Sequence, residues 1–433
     1  MIGEGAFRPS WAPRVGTQLL VGVAALATAA LAGYVIFHEP LFVAAVFCVL
    51  PLLVWFLARP GPAIVLLGAT LPITYSITGG SGGVNLAPSD LILAFLAAAI
   101  FFEAVAHDGS PPALALRPLK RPLLQYSAFL VALFVVHLGV HDALQTAQRF
   151  ELFLVPLLVG AVAALRDRHV TVLKAYVIGA CVLAAAWPFA HGLGQKNPVG
   201  QMIANAILLV VGLKTLSRLT PLLLVLVPGL VLTGSRGAIL ATALGALVML
   251  ALQDSRARAI AARLSVIAVV AFLTYAILPV SLQDRLTTFV PGTGSKGAYA
   301  LTVRQHYAHD AYHLISTHPF LGVGVGNYLA GSLNLDTVTN DPHDVLLLQA
   351  AEGGYLFAVS FVLLIGGVLL QLRRMKETEL AAVAAGVLVA TLVHGLLDVY
   401  WVRGTPILGW LLVGMACGVI ARRTGDARNN AIE

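Results

Sequence analysis

The stretch Val345-Leu-Leu-Leu-Gln-Ala-Ala-Glu352-Gly-Gly-Tyr-Leu-Phe-Ala-Val-Ser-Phe-Val-Leu-Leu-Ile-Gly-Gly-Val-Leu-Leu370 decides the fold class of this chain. It is almost entirely apolar, and Glu352 is its single charged residue. A membrane-spanning helix needs about 20 predominantly apolar residues, so the stretch predicts a helix that crosses a bilayer.

The whole chain shares this character. Of its 433 residues, 59% are hydrophobic and 11% are charged, whereas a soluble domain is roughly 25% charged. These figures exclude a soluble fold, a disordered chain, a coiled coil and a disulfide scaffold. We therefore expect an all-α polytopic integral membrane protein.

Apolar runs recur along the chain and give about 12 to 14 transmembrane helices, because neighbouring short runs can form one bent or re-entrant element. The run that starts at Thr17 is expected to be an uncleaved first span. The candidate spans are Thr17–Phe37, Leu41–Ala58, Pro62–Ile77, Pro88–Ala106, Pro122–Gly139, Thr146–Leu165, Val170–Phe189, Pro198–Leu213, Leu219–Thr233, Ala238–Leu252, Ala262–Pro279, Val345–Leu370, Leu380–Leu397 and Thr405–Ala421.

The basic residues predict the orientation of these spans, since Lys and Arg accumulate in cytoplasmic loops. With a cytoplasmic N-terminus, most of the 27 basic residues fall on the inner side, and both termini are cytoplasmic. Seven basic residues contradict the charge bias, and basic groups at membrane depth mark function by default. An anionic ligand on the outer side would explain them. They are Arg149, Lys196, Arg236, Arg285, Lys296, Arg304 and Arg403.

One extramembrane segment is long, and it divides the chain into three expected regions. Residues 1–280 hold the N-terminal spans, residues 281–342 form a large periplasmic loop, and residues 343–433 hold the C-terminal spans. The loop begins irregularly and continues with a predicted amphipathic helix from Tyr299 to Ile315, on which Leu301, Ala308, Ala311, Tyr312 and Ile315 recur at helical spacing.

Two further features of the loop have competing interpretations. The run Gly322-Val-Gly324-Val-Gly326 lacks the G-x-G-x-x-G spacing of a nucleotide-binding loop and predicts a tight turn. His306, His309 and His313 could face one way on the helix, which leaves a zinc site as a weak alternative to a surface without metal.

Two residues at predicted helix starts have the chemistry of a catalytic site. His343 precedes the span that begins at Val345, and imidazole is well suited to move a proton near neutral pH. In Thr233-Gly-Ser235-Arg236-Gly, Ser235 or Thr233 can cap a new helix whose N-terminus, with Arg236, forms a seat for an anion.

Three motifs in this order resemble the O-antigen ligase and polymerase superfamily of bacterial envelope proteins. They are Thr233-Gly-Ser-Arg236-Gly, Arg304 upstream of His318-Pro-Phe-Leu-Gly-Val-Gly, and Pro342-His343-Asp-Val-Leu-Leu-Leu-Gln followed by Glu352-Gly-Gly. Many members have Asn after the histidine, where this chain has Asp344.

The resemblance implies a glycosyltransferase of the GT-C fold in the bacterial inner membrane, with its active site facing the periplasm. A ligase of this kind transfers O-antigen glycan from undecaprenyl pyrophosphate to lipid A–core oligosaccharide, with inversion and without a metal, and so completes lipopolysaccharide. Neither a cofactor nor a nucleic-acid partner is expected.

The chemistry of this reaction suits the residues singled out above. The lipid pyrophosphate gains negative charge as it leaves, and cations placed there lower the barrier. We expect Arg236 and Arg304 to bind it, with Arg149 and Lys196 in supporting positions, because a guanidinium contacts two phosphate oxygens at once. His343 is expected to deprotonate or orient the acceptor hydroxyl.

Other functions compete with the ligase. O-antigen polymerase and protein O-oligosaccharyltransferase belong to the same superfamily. A transporter could use Glu103, Glu151, His394 and Asp398 as an ion path, but no inverted repeat is evident. A structural scaffold leaves the outward basic residues without a reason.

Overall fold

The computed structural model describes residues 60–74, 87–106, 111–189, 195–253, 257–278, 283, 286–287, 296–332, 341–375, 378–401 and 404–430. The predicted spans Thr17–Phe37 and Leu41–Ala58 lie outside the described residues, as do Arg285 and Arg403.

The described residues form helices joined by short connections and include no β-strand. Two 3₁₀ segments, Arg117–Leu119 and Lys214–Leu222, adjoin α4 and α8. The α-helices are α1 (Pro60–Thr70), α2 (Pro88–Ala106), α3 (Pro111–Ala115), α4 (Lys120–His137), α5 (Val140–Leu165), α6 (His169–Ala186), α7 (Lys196–Gly212), α8 (Leu223–Thr233), α9 (Arg236–Leu252), α10 (Ala257–Ala276), α11 (Lys296–Thr317), α12 (Tyr328–Ser332), α13 (Val345–Arg374), α14 (Glu379–Gly395) and α15 (Ile407–Asn430).

The helices have the length and composition of a polytopic membrane protein, as predicted. Among the described residues, seven are long and apolar enough to cross a membrane: α4, α5, α6, α10, α13, α15, and α8 together with the 3₁₀ segment before it. The other predicted spans in the described part also correspond to helices. The three short runs between residues 196 and 252 form separate helices, α7, α8 and α9, rather than one bent element.

The bundle packs tightly where small residues let helix backbones approach each other. The most extensive contact joins α5 to α15. A side chain on Gly160 would meet the Leu411 carbonyl, and one on Gly414 would meet the Leu157 carbonyl. Close approach of this kind is typical of helices in a bilayer, where van der Waals packing replaces the hydrophobic effect as the main attraction.

α10 presents an apolar surface to its surroundings. Phe272 is 69% exposed, Val269 and Leu273 are exposed with it, and Ile277, directly after the helix, is 83% exposed. Such a surface is costly in water but suits lipid, so this face of α10 fits a membrane-facing position.

The described part of the large loop packs on the bundle through α11. This helix begins at Lys296, so Lys296 belongs to the helix and not to the irregular segment before it. Ala311, Leu314 and Ile315 form its buried face. Tyr312, which the spacing placed on the same face, is instead 62% exposed, and the neighbouring His313 is exposed with it.

α13 is broken by a glycine, and the loop fills the break. Gly354 has φ 74° and ψ 179°, a conformation in which the helix cannot continue. The backbone N–H of Tyr355 instead donates to the Pro319 carbonyl, and that of Val323 donates to the Ala351 carbonyl. The 319–326 segment is therefore held against the middle of α13 by main-chain hydrogen bonds.

Candidate active site

His343 sits at the start of α13 in an unusual backbone conformation. Its φ is +59°, which is costly for a residue with a side chain and is often found at functional sites. The Asp341 carboxylate accepts the His343 N–H at 2.6 Å. Asp344 caps α13 by accepting the N–H groups of Leu346 at 2.8 Å and Leu347 at 3.1 Å. The residue after the histidine therefore has a structural role here.

Asp398 joins His343 to Arg304. One carboxylate oxygen of Asp398 lies 3.5 Å from the Nδ1 atom of His343, and the other lies 3.5 Å from an Nη atom of Arg304. Asn197 also donates its side-chain amide to Asp398, and the Val399 N–H donates to it at 2.8 Å. Because Asp398 is only 3% exposed, these partners compensate a buried charge.

The charges around His343 favour its protonated form. Burial alone would lower the pKa of the imidazole, but the carboxylates of Asp398 and Asp341 outweigh burial and the pKa of His343 is raised. Burial would also raise the pKa of Asp398, yet its interactions with His343, His394 and the Val399 N–H lower it to about 2. The pair is thus an imidazole made more basic by a carboxylate that stays ionised.

Tyr307 fixes the plane of this imidazole. The two rings stack with their centroids 5.3 Å apart and their planes 17° from parallel. Tyr307 lies one turn after Arg304 on α11, so a single helix supplies both an arginine and a stacking ring. With Nδ1 turned towards Asp398, the Nε2 atom of His343 is the nitrogen that can act on a substrate hydroxyl.

Arg236 begins α9 as the sequence predicted. Ser235 is the cap, since its hydroxyl accepts the Ala238 N–H at 3.4 Å. Thr233 stabilises the preceding turn by accepting the Ser235 N–H at 3.2 Å, and Gly234 ends α8 in the left-handed conformation with φ 62°. The motif is a sharp turn between two helices that puts Arg236 at a positive helix terminus.

The helix starts α7 and α9 meet beside this cluster. A side chain on Gly200 of α7 would lie 2.9 Å from the Ser235 Cβ atom, so the two termini are in direct contact. Gly237 of α9 lies next to Leu397, the neighbour of Asp398. Two helix N-termini therefore add their positive ends to the charge of Arg236 and Arg304.

An apolar cavity of about 870 Å³ leads into this region. Its walls are α8, α9 and α10, and Arg236 and Arg304 are both among its lining residues. It follows α10 from Leu264 to Tyr275, a distance of about 16 Å along the helix. A long apolar cavity with two guanidinium groups fits an amphiphile that has an anionic head.

The two supporting cations are placed differently. Lys196 is the first residue of α7 and precedes Asn197, the amide partner of Asp398, so it lies at the edge of the cluster. Arg149 lies within the bundle and is 5% exposed. It pairs with Glu352 at 2.5 Å, not with the sequence-adjacent Glu151, and it lies 5.0 Å from the centre of the Trp401 ring.

The Arg149–Glu352 pair links the bundle to the glycine turn. The second carboxylate oxygen of Glu352 accepts the Gly326 N–H at 2.9 Å. A side chain on Gly322, whose φ is 63°, would collide with the backbone of Glu352. The glycine run is therefore a tight turn, as predicted, and this packing favours a structural role for Arg149.

The histidines of α11 point outward. His306, His309 and His313 are exposed, and the buried Asp310 lies 3.8 Å from the His309 ring. Within the part of the chain that the structure describes, no group of three His, Cys, Asp or Glu side chains is arranged to hold a metal ion.

Asp398 is the site residue that the sequence interpretation did not assign to glycan transfer. It was grouped with His394 as part of an ion path. A signal existed in its position, because Asp398 is an ionisable residue three positions after the end of α14, and ionisable groups beside membrane helices often mark a functional site. Its pairing with His343, more than fifty positions away, is visible only in three dimensions.

Comparison with known proteins gives one informative result for this region. Residues 221–362 match a family model described as O-antigen ligase. The matched segment contains Arg236, Arg304, His343 and Glu352, and it leaves Lys196 and Asp398 outside. A comparison with curated proteins found no match.

Proposed function

We propose a specific reaction for this chain from the match of residues 221–362 to the O-antigen ligase family model, which supports a place in the O-antigen ligase and polymerase superfamily. The protein transfers O-antigen glycan from undecaprenyl pyrophosphate to lipid A–core oligosaccharide on the periplasmic face of the bacterial inner membrane. One observation carries the proposal: Arg236 and Arg304 both line the apolar cavity, and Arg304 shares Asp398 with His343.

The donor has the shape that this cavity accepts. The polyprenyl chain lies along the apolar wall of α10, and the pyrophosphate lies between Arg236 and Arg304. A guanidinium has five N–H donors, so the contact of Arg304 with Asp398 leaves further donors for phosphate oxygens. The starts of α7 and α9 add to the positive potential there.

His343 acts on the acceptor. Its Nε2 atom takes the proton of an acceptor hydroxyl, and the oxygen forms a bond to the anomeric carbon of the glycan. The bond from that carbon to the pyrophosphate oxygen breaks, and undecaprenyl pyrophosphate leaves with the electron pair. Arg236 and Arg304 stabilise the charge of the leaving group, and a single displacement inverts the anomeric configuration.

Metal independence belongs to this proposal, because two guanidinium groups supply the positive charge that a metal ion supplies in other transferases. Ligation by the purified protein is expected to continue at an unchanged rate in EDTA. A rate that falls on chelation and recovers with added zinc or magnesium would contradict the proposal and would direct attention to His306, His309 and His313.

A deletion strain tests the reaction and separates the ligase from the polymerase. Its lipopolysaccharide gel should show bare lipid A–core, while polymer accumulates on the lipid carrier. Wild-type chain should restore the ladder, and His343→Ala should not, although it is present in the membrane at an equal level. A deletion strain whose core carries a single repeat unit would assign the polymerase reaction instead.

A further inference from the structure

A second cavity lies at the other end of the bundle from His343. Its volume is about 580 Å³, which is in the range of small-molecule sites. Met375, which lines it, directly follows α13, whose opposite end carries His343. By the distribution of basic residues, this end of the bundle is the cytoplasmic one.

The wall of this cavity is mostly apolar and lies where helices leave the membrane. Leu114 and Pro118 come from the short segment before α4, and Cys417, Ile420 and Ala421 come from α15. Leu114 is 69% exposed, so its apolar side chain is available to a ligand. An apolar recess at the end of two membrane helices is positioned for the upper part of an acyl chain.

The cavity also contains a cation. Arg117 lines it and is exposed. Residues 112–123, 372–375 and 417–424, which surround the cavity, contain no acidic residue. Their basic residues are Arg117, Lys120, Arg121, Arg373, Arg374, Arg422 and Arg423. Of these, Arg422 pairs with Asp167 at 2.8 Å.

We propose that this cavity binds an anionic membrane phospholipid, with its phosphate on Arg117 and its acyl chain against Leu114 and Ile420. Basic residues predominate in the segments around the cavity, with Asp167 as an acidic partner of Arg422, and a basic pocket between membrane helices on the cytoplasmic side is suited to such a head group. The recess explains why a lipid is favoured over an acidic peptide, because a peptide would leave the apolar wall uncovered.

Binding can be measured on the full chain purified in detergent. Native mass spectrometry would count retained molecules of dioleoyl phosphatidylglycerol and, in parallel, of dioleoyl phosphatidylcholine. Wild-type chain should retain phosphatidylglycerol preferentially. Arg117→Gln should weaken this retention about tenfold, the effect of losing one charge-assisted hydrogen bond. Thr424→Trp, at an exposed lining position, should fill the recess and also reduce retention.

Arg121→Gln is the matched control, because it removes the same charge from an exposed position four residues away that does not line the cavity. It should retain the lipid as the wild type does. Equal losses in Arg117→Gln and Arg121→Gln, or equal retention of both lipids by the wild type, would overturn the proposal. So would displacement of the lipid by inorganic phosphate or a polyglutamate peptide at millimolar concentration.

This inference does not depend on the proposed glycan transfer. His343→Ala should bind phosphatidylglycerol normally while it fails to ligate glycan, and Arg117→Gln should show the reverse in a matched assay of transfer in detergent. Either proposal can therefore be disproved while the other stands.

Discussion

At the scale of single residues, the site depends on Asp398, whose carboxylate interacts with two charged groups. The same carboxylate faces the imidazole of His343 and the guanidinium of Arg304, each at 3.5 Å. The Asp398 carboxylate raises the pKa of His343 and orients the guanidinium of Arg304. If His343 and Arg304 have the roles proposed above, replacing the one carboxylate that contacts both should affect catalysis strongly.

Replacing Asp398 should change the pH dependence of transfer. In the proposed mechanism activity requires unprotonated His343, so activity should rise as pH rises through the raised pKa of this residue. In Asp398→Asn the carboxylate that raises this pKa is gone, while burial and Arg304 still lower it. The acid limb of kcat/KM should therefore move to lower pH, and the maximal rate should fall.

The control for this experiment is Asp167→Asn. Asp167 is also an ionised carboxylate, but it is exposed and pairs with Arg422 at the far end of the bundle. Its replacement should leave the acid limb where it is. An acid limb that stays unchanged in Asp398→Asn as well would show that Asp398 does not set the pKa of the base.

The two arginines should be sensitive to geometry as well as charge. Lys supplies a point charge in place of the planar fork of Arg, so Arg236→Lys and Arg304→Lys should reduce turnover substantially. Arg236→Ala and Arg304→Ala should reduce it by about 10- to 100-fold, the value of one charge-assisted hydrogen bond in the transition state. In vitro ligation at matched expression measures these effects.

Two other outward basic residues serve as controls for the arginines. Arg285 lies outside the described residues, and Lys296 is the first residue of α11, two turns before Arg304. Arg285→Ala and Lys296→Ala should ligate almost normally. If these two variants are inactive while Arg236→Ala and Arg304→Ala remain active, the anion site is assigned to the wrong residues.

At the scale of elements, the break in α13 determines where the loop can sit. The regular helical hydrogen bonds are interrupted at Gly354. Main-chain groups of the 319–326 segment bind the free N–H and C=O groups of α13 instead. This arrangement connects two elements. One is α13, which His343 precedes, and the other is α11, which contains Arg304 and leads into the 319–326 segment. Both elements that carry the proposed site are therefore held by one junction.

A side chain at the break should loosen this junction. Gly354→Ala would place a Cβ atom against the Pro319 and Phe320 carbonyls, in a backbone conformation that is nearly restricted to glycine. The strain alone is about 1–3 kcal/mol, so the thermal unfolding midpoint should fall and proteolysis of the loop should become faster.

Gly366→Ala is the comparison on the same helix. Gly366 has helical geometry, and nothing lies within 4 Å of its added Cβ atom. Its replacement should be neutral or should stabilise the protein by about 0.5–1 kcal/mol. Equal stability of the two variants would mean that the Gly354 conformation is not required for the junction.

At the scale of the whole molecule, the apolar cavity and the charged cluster together define a path from the membrane to the site. α10, which forms one wall of the cavity, has exposed apolar side chains, and Arg236 and Arg304 line the same cavity. A donor that carries a polyprenyl chain can therefore enter sideways, and its chain length should matter.

Narrowing the cavity should slow transfer from long-chain donors more than transfer from short-chain donors. Ala243 is an exposed residue of α9 that lines the cavity, and Leu247, one turn further, is exposed and does not. Ala243→Trp should slow transfer from an undecaprenyl donor more than from a short-chain analogue, and Leu247→Trp should slow neither. An equal effect of Ala243→Trp on both donors would place the lipid chain elsewhere.

The sequence by itself determined the fold class, the helix positions and the residues that begin the functional helices. Apolar periodicity and length are local properties, so most predicted spans in the described residues coincide with helices to within a few positions. The cap at Ser235 and the turn at Gly322 were also predictable, because each depends on neighbouring residues.

The tertiary structure alone decided which charges are partners. Glu352 pairs with Arg149 across the bundle, and Asp398 lies beside His343, although Glu151 and Asp344 were nearer in sequence. A buried charge takes the partner that packing brings to it, and in a helix bundle that partner comes from another helix. Local patterns contain no information about such distances, so the role of Asp398 and the apolar cavity beside it appear only when the helices are packed together.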